Sequence, residues 1–147
     1  MTLDEAKQLR EGRRLVFTNG VFDVLHIGHV RYLQEARRLG DLLLVGVNSD
    51  ESVRSLKGPT RPINPTDERI AMLEALRMVD GAIEFGEATP VEIIKALTPE
   101  VHVKGGDYEA SDMPETPVVQ AYGGQVLILP LVPNRSTSRL LKLLGEE

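Results

Sequence analysis

Short apolar runs alternate with helical patterns along almost the whole chain, and no other feature constrains the fold as strongly. The runs are rich in Val, Ile and Leu and show little polar–apolar alternation, as is typical of strands covered on both faces. Strands that alternate with helices imply right-handed crossovers and a parallel sheet. We therefore predict an α/β, Rossmann-like single domain with about five parallel strands and helices on both faces. The predicted strands are Leu15–Thr18, Leu42–Val47, Ala82–Phe85, Val101–Lys104 and Gln125–Leu129.

The segments between these strands carry the helical patterns. The predicted helices are His29–Leu39, Glu51–Ser55, Pro65–Met78, Val91–Leu97, Thr116–Ala121 and Ser138–Leu144, with a short helix to about Glu11 before the first strand. The predicted loops are 56–64 and 105–115. Thr2 followed by Glu5 predicts a capping box at the first helix. Asn64-Pro65-Thr66-Asp67 and Thr89-Pro90-Val91-Glu92 each predict a side-chain N-cap followed by Pro at the first helical position.

Length, charge and composition narrow the class of protein. The 147 residues suit one domain over 1–147, with an N-terminal helix over 1–12 and a core over 13–147. A net charge of −5 argues against a nucleic-acid partner, which needs a basic face. The chain has no Cys, which excludes a disulfide and a thiol nucleophile and fits a reducing cytoplasm. The start of the chain lacks the regions of a signal peptide, and no apolar run is long enough to span a membrane, so we expect a cytoplasmic protein without a membrane partner.

The turn after the first strand carries the strongest functional signal. The string Thr18-Asn19-Gly20-Val21-Phe22-Asp23-Val24-Leu25-His26-Ile27-Gly28-His29 lies where a strand passes to a helix. A helix N-terminus attracts phosphate through its free N–H groups and partial positive charge, and His26 and His29 can add side-chain donors. Gly20 lets the chain leave the strand in a conformation closed to other residues, and Gly28 lets a phosphate approach the backbone. We predict phosphate binding here, over an ordinary histidine capping pair or a zinc site.

The expected position of this turn is the ligand crevice of an open parallel sheet. Such ligands bind outside the carboxyl ends of the strands, where the strand order reverses. The turn contains neither the dinucleotide fingerprint G-x-G-x-x-G nor a P-loop. The chain is therefore expected to bind phosphate differently from dehydrogenases and from P-loop kinases.

Charged residues in the first half of the chain add candidates to this crevice. Lys57 lies in a Gly/Pro loop after the second strand and helix, with Arg61 nearby. The base of the loop can face the crevice, so we predict that Lys57 contacts phosphate and that Arg61 is a weaker candidate. Arg69, near the start of the next helix, either points back to the site or pairs with surface carboxylates. Asp23 either orients a ligand or caps the helix.

Two later segments indicate a nucleoside and a second phosphate. In Lys104-Gly105-Gly106-Asp107-Tyr108 the glycines let a loop pass close to a flat ligand, and Asp107 can accept hydrogen bonds from a ribose. Arg135-Ser136-Thr137-Ser138-Arg139 precedes the last helix, where hydroxyls and backbone N–H groups form an anion site. The structural alternatives are a plain glycine turn and redundant N-capping.

The predicted site residues fall into three groups, and no metal ligand is predicted among them. The catalytic candidates are His26, His29 and Lys57; the nucleotide-binding candidates are Thr18, Asn19, Gly20, Phe22, Gly28, Lys104, Gly105, Asp107, Arg135, Ser136, Thr137 and Ser138; the weaker substrate-binding candidates are Asp23, Arg61 and Arg69.

These segments, in this order, resemble the H-x-G-H nucleotidyltransferase (cytidylyltransferase-like) family. Within it they are most similar to the adenylyltransferase domain of bifunctional heptose-phosphate kinase/heptose 1-phosphate adenylyltransferases. The resemblance runs from about Leu15 to the end of the sequence, and Lys104–Tyr108 is its most branch-specific string. The matching strings are Asn19–His29, Asn48–Asp50, Leu56–Gly58, Arg61–Pro65, Glu68-Arg69, Val79-Asp80, Lys104–Tyr108 and Gly123–Val126.

The resemblance implies an enzyme that transfers AMP from ATP to D-glycero-β-D-manno-heptose 1-phosphate, with ADP-heptose and pyrophosphate as products. It implies that His26 and His29 stabilise the transition state, that Lys57 bridges the reacting phosphates, and that Ser136 and Thr137 hold the β- and γ-phosphates. Asp107 and its glycines would line the nucleoside pocket. Mg²⁺ is expected with the ATP because of the triphosphate chemistry.

The sequence departs from the family pattern in two ways. A sugar kinase domain is often attached in this family and is not present in this sequence, so either the kinase is a separate protein or the sugar differs. Arg135 and Arg139 flank the hydroxyl-rich segment, and they are expected to alter the affinity for triphosphate.

Three alternative functions would use some of the same residues or motifs. A CTP-dependent cytidylyltransferase acting on glycerol 3-phosphate would use the same histidines, Lys57 and hydroxyl-rich segment. A class I aminoacyl-tRNA synthetase fragment shares H-x-G-H, but the chain is short, acidic and without a K-M-S-K-S loop. A non-catalytic nucleotide sensor would bind ATP without releasing pyrophosphate. The expected partners are a nucleotide and a sugar phosphate, and a homo-oligomer is one of the states that the resemblance allows.

Overall fold

A computed structural model of the chain describes residues 1–106, 108–130 and 136–145. Helices and strands alternate as predicted. The elements are α1 (Leu3–Arg10), β1 (Leu15–Gly20), α2 (Ile27–Arg37), β2 (Leu42–Asn48), α3 (Asp50–Lys57), α4 (Thr66–Glu74), β3 (Gly81–Phe85), α5 (Val91–Leu97), β4 (Val101–Gly105), a 3₁₀ turn (Ala110–Asp112), α6 (Thr116–Ala121), β5 (Gln125–Leu129) and α7 (Thr137–Leu143).

The five strands form one parallel sheet in the spatial order β3-β2-β1-β4-β5. β1 pairs with β2 along its whole length, from Leu15 to Gly20, but it pairs with β4 only at Val16 and Phe17. β1 and β4 therefore separate beyond Phe17, where the strand order reverses, and a crevice opens between their carboxyl ends. The predicted fold and the predicted position of the crevice are confirmed.

Helices cover both faces of the sheet, which explains why the strand sequences are apolar throughout. Successive side chains of a strand point to opposite faces. On β1, Val16 packs in one core cluster, and Leu15 and Phe17 pack in the other. The first cluster includes Leu33, Ala36 and Leu73 from α2 and α4, and the second includes Ala6, Ile94, Leu97 and Val119 from α1, α5 and α6. Burial of these side chains is the main favourable contribution to folding.

Of three helix N-caps predicted from the sequence, one is present in the structure and two are not. The capping box at α1 is present, with the Glu5 N–H donating to Thr2 Oγ1 and the Thr2 N–H donating to Glu5 Oε1, both at 3.1 Å. The predicted side-chain caps at α4 and α5 are wrong, because Pro65 and Pro90 occupy the N-cap positions without a side-chain hydrogen bond. The amide of Asn64 instead donates to the backbone oxygen of Asp23 at 2.7 Å.

The helix α4 is also shorter than predicted, because it ends at Glu74 rather than at Met78. After the end of the helix, Asp80 packs against the start of β2. The Asp80 N–H donates to the Leu43 oxygen at 2.9 Å, and the Leu43 N–H donates to Asp80 Oδ2 at 2.8 Å. This pair of tertiary hydrogen bonds sets the start of β3, and helix periodicity carries no sign of it.

Candidate active site

A cavity of about 690 Å³ occupies the crevice at the carboxyl ends of β1 and β4. This volume lies in the usual range for small-molecule sites. The cavity gathers predicted residues from four separate parts of the chain. Its predicted lining residues are Asn19, Gly20, Phe22, Asp23, His26, Gly28, His29, Lys57, Arg61, Lys104, Gly105, Ser136, Thr137 and Ser138. The predicted residues Asp107 and Arg135 lie outside the described part of the chain.

The two histidines cap α2 reciprocally. His26 is the N-cap residue, and its Nδ1 accepts a hydrogen bond from the Gly28 N–H at 3.0 Å. His29 Nδ1 accepts from the His26 N–H at 3.3 Å, and the two ring centroids lie 3.9 Å apart. Because each Nδ1 is an acceptor, a neutral ring must carry its proton on Nε2. Helix capping and phosphate binding by these histidines are therefore compatible, because capping uses Nδ1 and orients Nε2–H as a donor.

The charge state of His29 is set by its surroundings. Burial and the neighbouring His26 lower the pKa of His29 to about 4, and the ring of Phe22 packs 5.3 Å from it between centroids. His29 is consequently neutral at pH 7 in the ligand-free protein. A neutral ring keeps its N–H donor, and an approaching polyphosphate would stabilise the protonated form. The His29 ring is thus suited to receive negative charge.

The chain leaves β1 through a strained residue, and that residue is not the predicted one. Phe22 has a φ of +49°, in the left-handed region that side chains with a Cβ rarely adopt, whereas Gly20 has an ordinary φ. Gly20 is needed for space, because a Cβ there would lie 3.0 Å from Cε2 of the Phe22 ring. The predicted conformational role of Gly20 is therefore wrong, and the strain at Phe22 lies where functional sites commonly store it.

Asp23 connects the turn after β1 to the loop before α4. Its buried carboxylate accepts hydrogen bonds from Arg61 Nε at 3.0 Å, the Ile63 N–H at 2.8 Å and the Asn64 N–H at 2.9 Å. The Arg61–Asp23 ion pair is almost fully buried. Asp23 does not cap α2, which corrects one of its two predicted roles. Both residues line the cavity, and their mutual contacts fix the shape of that wall.

Arg69 is a structural residue rather than the predicted substrate contact. It is 1% exposed and is absent from the described lining of the cavity. Its guanidinium donates to the backbone oxygens of Asn64 and Val21 at 2.9 and 2.8 Å and to Asp50 Oδ1 at 2.8 Å. Although burial opposes it, hydrogen bonding from Arg69 lowers the pKa of Asp50, so the pair stays charged. Arg69 therefore holds together the loops that frame the site.

Thr18 also lies below the cavity rather than in its lining. It is fully buried, and its hydroxyl is hydrogen-bonded to the hydroxyl of Tyr32. Tyr32 lines the cavity and donates to the Val103 oxygen at 3.0 Å, so it links the separating strands β1 and β4. Burial raises the pKa of Tyr32 above its usual range, which keeps the phenol protonated. The prediction of direct nucleotide contact by Thr18 is wrong, and Tyr32 was missed because it reads as a core residue of a helix.

Lys104 lies at the end of β4, inside the cavity. Its Nζ donates to the Asn19 oxygen at 3.3 Å and lies 5.5 Å from the centroid of the Tyr108 ring. Burial lowers the pKa of Lys104, and the carboxylate of Glu115 opposes that effect. Lys57 is exposed at the last position of α3 and also lines the cavity.

The hydroxyl-rich segment before α7 reaches the turn after β1. Thr137 Oγ1 donates to the Val24 oxygen at 2.8 Å, and Ser136 Oγ accepts from the Arg139 N–H at 3.0 Å as the N-cap. The capping alternative therefore holds for Ser136. All of Ser136, Thr137 and Ser138 still line the cavity, so the start of α7 borders the same space as the histidines.

Sequence reasoning missed the walls that come from the loops after β3 and β4. The lining residues that it did not predict are Val21, Tyr32, Asn48, Leu56, Ala88, Thr89, Pro90, Tyr108, Asp112, Met113, Pro114 and Glu115. Their signal was their position, since most of them lie at the carboxyl end of a strand or in the segment that follows it. Within the described residues no group of three or more His, Cys, Asp or Glu side chains could hold a metal ion. Among the same residues no helix is long and apolar enough to cross a membrane.

The sheet is parallel, and its crevice combines a histidine-capped helix, lysines and a hydroxyl-rich helix start. These features are typical of α/β domains that bind nucleotide phosphates. The cytidylyltransferase-like family model matches residues 17–133. The chain belongs to this family.

Individual relatives agree with that assignment. The chain is 50% identical over 133 residues to the bifunctional protein HldE of Syntrophotalea carbinolica, covering 90% of this chain and 27% of that protein. It is 50% identical over 137 residues to the HldE protein of Trichlorobacter lovleyi, covering 93% of this chain and 28% of that one. The chain thus spans less than a third of the length of these curated relatives.

A solved structure has the same fold. The lipopolysaccharide core biosynthesis protein from Thermoplasma volcanium GSS1 superposes with a TM-score of 0.69 at 30% sequence identity. The match covers 82% of this chain and 98% of that one.

Proposed function

We propose that this domain is an adenylyltransferase that transfers AMP from ATP to a sugar 1-phosphate, D-glycero-β-D-manno-heptose 1-phosphate, and releases pyrophosphate. The reciprocal capping of His26 and His29 is the observation that carries the proposal, because it orients two imidazole Nε2–H groups beside a helix N-terminus in the cavity. The resemblance of Lys104–Tyr108 to the heptose branch and the similarity to the HldE proteins support the choice of substrate.

The reaction needs charge stabilisation more than base catalysis. The acceptor phosphate is already an anion near neutral pH, because its second pKa is about 6. One of its oxygens would attack the α-phosphorus of ATP, forming the new P–O bond as the bond to the leaving pyrophosphate breaks in line. No proton has to be removed from the acceptor. Positioning and electrostatics dominate such transfers.

The residues of the cavity supply those two effects. His26 and His29 would donate to the oxygens on which charge develops, and Lys57 would neutralise the phosphates from the end of α3. The start of α7 would receive the outer phosphates through its N–H groups and the adjacent hydroxyls. Mg²⁺ would arrive as part of the MgATP substrate, since phosphate oxygens and water are its preferred ligands. A cytoplasmic location, where ATP is abundant, is part of the proposal.

Pyrophosphate release tests the proposal directly. ATP and CTP are each combined with heptose 1-phosphate and with glycerol 3-phosphate, and pyrophosphate is measured in the four mixtures. We expect release only from ATP with heptose 1-phosphate. Release only with CTP would favour the cytidylyltransferase alternative, which the family description supports. Nucleotide binding without release in any mixture would favour a sensor.

The variant His29→Ala tests the chemical role of the histidine pair. Loss of one such donor costs about 10²–10³-fold in rate. We expect turnover to fall on that scale, while a far-ultraviolet circular dichroism spectrum like that of the wild type shows that the fold is kept. Wild-type turnover in a folded His29→Ala protein would exclude the histidine mechanism.

A further inference from the structure

The side chain of Tyr32 bonds to two strands at the point where they separate. Backbone pairing between β1 and β4 ends at Phe17 and His102, and the next residues along the two strands are Thr18 and Val103. The Tyr32 hydroxyl is hydrogen-bonded to the hydroxyl of Thr18 and donates to the Val103 oxygen at 3.0 Å. A side chain from α2 therefore links β1 and β4 just beyond the end of their backbone pairing.

The donors and acceptors of this link follow from the chemistry of the phenol. A phenol has one O–H hydrogen, and Tyr32 donates it to the Val103 oxygen. The Thr18 hydroxyl must therefore be the donor to the Tyr32 oxygen. Burial raises the pKa of Tyr32 above its usual range, so the phenol keeps its hydrogen at neutral pH. The three groups form one hydrogen-bonded chain from β1 through α2 to β4.

Tyr32 also connects this junction to the predicted catalytic residues. It lies three residues after His29 on α2, so the two side chains are neighbours on one face of the helix, and both line the cavity. The Tyr32 ring packs against the first core cluster, which holds the rest of the side chain in place. Val103 directly precedes Lys104, which also lines the cavity. The Tyr32 hydroxyl therefore fixes the helix that carries His29 against the strand that carries Lys104.

We propose that Tyr32 is a positioning residue whose hydroxyl sets the distance between the histidine pair and Lys104 across the open end of the sheet. A displaced helix start would weaken contacts to the transition state more than contacts to the bound nucleotide. A misplacement of about 1 Å can cost about 10²-fold in rate. The catalytic part of this proposal rests on the proposed function. The link between the helix and the two strands does not, so the two parts can fail separately.

Tyr32→Phe tests the catalytic part, because it removes the hydroxyl and keeps the ring. We expect kcat for pyrophosphate release to fall by about 10–10²-fold and KM for MgATP to change by less than about threefold. Tyr122→Phe is the matched control. The Tyr122 hydroxyl also donates to a backbone oxygen, that of Pro99 at 2.7 Å, but Tyr122 is absent from the described lining of the cavity. The control should leave kcat unchanged.

Amide hydrogen exchange tests the link without any ligand. The N–H groups of His26 and Gly28 report on the first turn of α2, because each donates to an imidazole Nδ1 there. If Tyr32 holds this turn in place, loss of its hydroxyl should make local opening easier. We expect these two amides to exchange about five- to tenfold faster in Tyr32→Phe, and at the wild-type rate in Tyr122→Phe.

The Thr18 hydroxyl supplies a second test of the same chain. Thr18→Val removes the donor to the Tyr32 oxygen, whereas Thr18→Ser keeps it. We expect kcat to be about 3–10-fold lower in Thr18→Val than in Thr18→Ser. In the Tyr32→Phe background, Thr18→Val should cause no further loss, because the partner of the Thr18 hydroxyl is already gone.

The outcomes separate the possible failures. A kcat in folded Tyr32→Phe equal to that in Tyr122→Phe would overturn the positioning role, and so would a rise in KM at unchanged kcat. Unchanged exchange of the two amides in Tyr32→Phe would overturn the link itself, whatever the protein binds. Wild-type protein that releases no pyrophosphate would instead refute the proposed function, and the exchange result would still decide the link. If Tyr32→Phe does not fold, the two Thr18 variants take its place, and an equal kcat in both would overturn the proposal.

Discussion

His29 makes the stability of this domain depend on pH in a way that one substitution should remove. In the folded protein, burial and the neighbouring His26 lower the pKa of His29 to about 4 from a reference value of 6.5. The folded state therefore resists protonation at His29 and the unfolded chain does not. A depressed folded-state pKa contributes stability above the unfolded pKa of 6.5, and that contribution is lost as the pH falls toward 4.

The size of the effect follows from these two values. Between pH 7 and pH 5 the linkage relation gives a loss of about 2 kcal/mol for complete burial, and partial exposure of His29 reduces this to about 1–2 kcal/mol. The variant His29→Ala loses the Nδ1 cap on the His26 N–H, which costs about 1 kcal/mol at pH 7. Because alanine does not titrate, the variant escapes the loss at low pH. We expect it to be less stable than wild type at pH 7 and equal to or more stable than wild type at pH 5.

Urea unfolding followed by circular dichroism at both pH values measures this difference. Contributions from other titrating groups are shared by the two proteins and largely cancel in the comparison. The variant His29→Gln is a useful control, because glutamine at this position can accept from the N-cap N–H as in an ordinary capping box. It should recover the stability lost at pH 7. A stability gap between wild type and His29→Ala that is the same at pH 7 and pH 5 would refute the assignment of a neutral, buried His29.

Three further substitutions separate the structural residues of the site from those that face the ligand. Asp23→Ala removes the buried carboxylate that accepts hydrogen bonds from Arg61 and from the N–H groups of Ile63 and Asn64, so urea titration should show a loss of about 3–5 kcal/mol, and an unchanged midpoint would contradict its supporting role. Lys57→Ala should reduce kcat/KM for pyrophosphate release by about 10²-fold without altering the melting temperature, since this side chain is exposed; an equal fall in thermal stability would indicate a structural role. Gly46→Ala places a Cβ 2.8 Å from Cζ of Phe17 and should destabilise the sheet by about 1–3 kcal/mol, and a melting curve identical to wild type would show that the ring can move away.

The fold was predictable because its signal is local and repeated. Each strand of a doubly covered parallel sheet must be apolar on both sides, and the runs that begin at Leu15 and Leu42 show this without any knowledge of their neighbours. The gathering of His26, Lys104 and Ser136 in one cavity was predictable for a related reason, since each lies at or beside the end of an element at the carboxyl edge of the sheet.

The errors come from contacts between residues far apart in the chain. Asp23 and Arg69 are charged residues beside the predicted crevice, but their partners lie up to 48 residues away and turn them into buried supports. Nothing in the spacing of Thr18 shows that Tyr32 covers it. The strain at Phe22 was also hidden, because the rule that glycine takes left-handed conformations pointed to Gly20. Sequence therefore shows that a polar residue lies near a site more easily than it shows whether the residue supports the fold or contacts the ligand.

The hydrogen bond from Thr137 to the Val24 oxygen joins positions 113 residues apart. On a ribosome, the sheet strands and the histidine turn are made long before Thr137 emerges. The crevice then lacks the start of α7, and a growing chain has only part of its anion-binding surface. Under the proposed function, the surface that would hold a triphosphate is therefore complete only after Thr137 has been made and has docked against Val24.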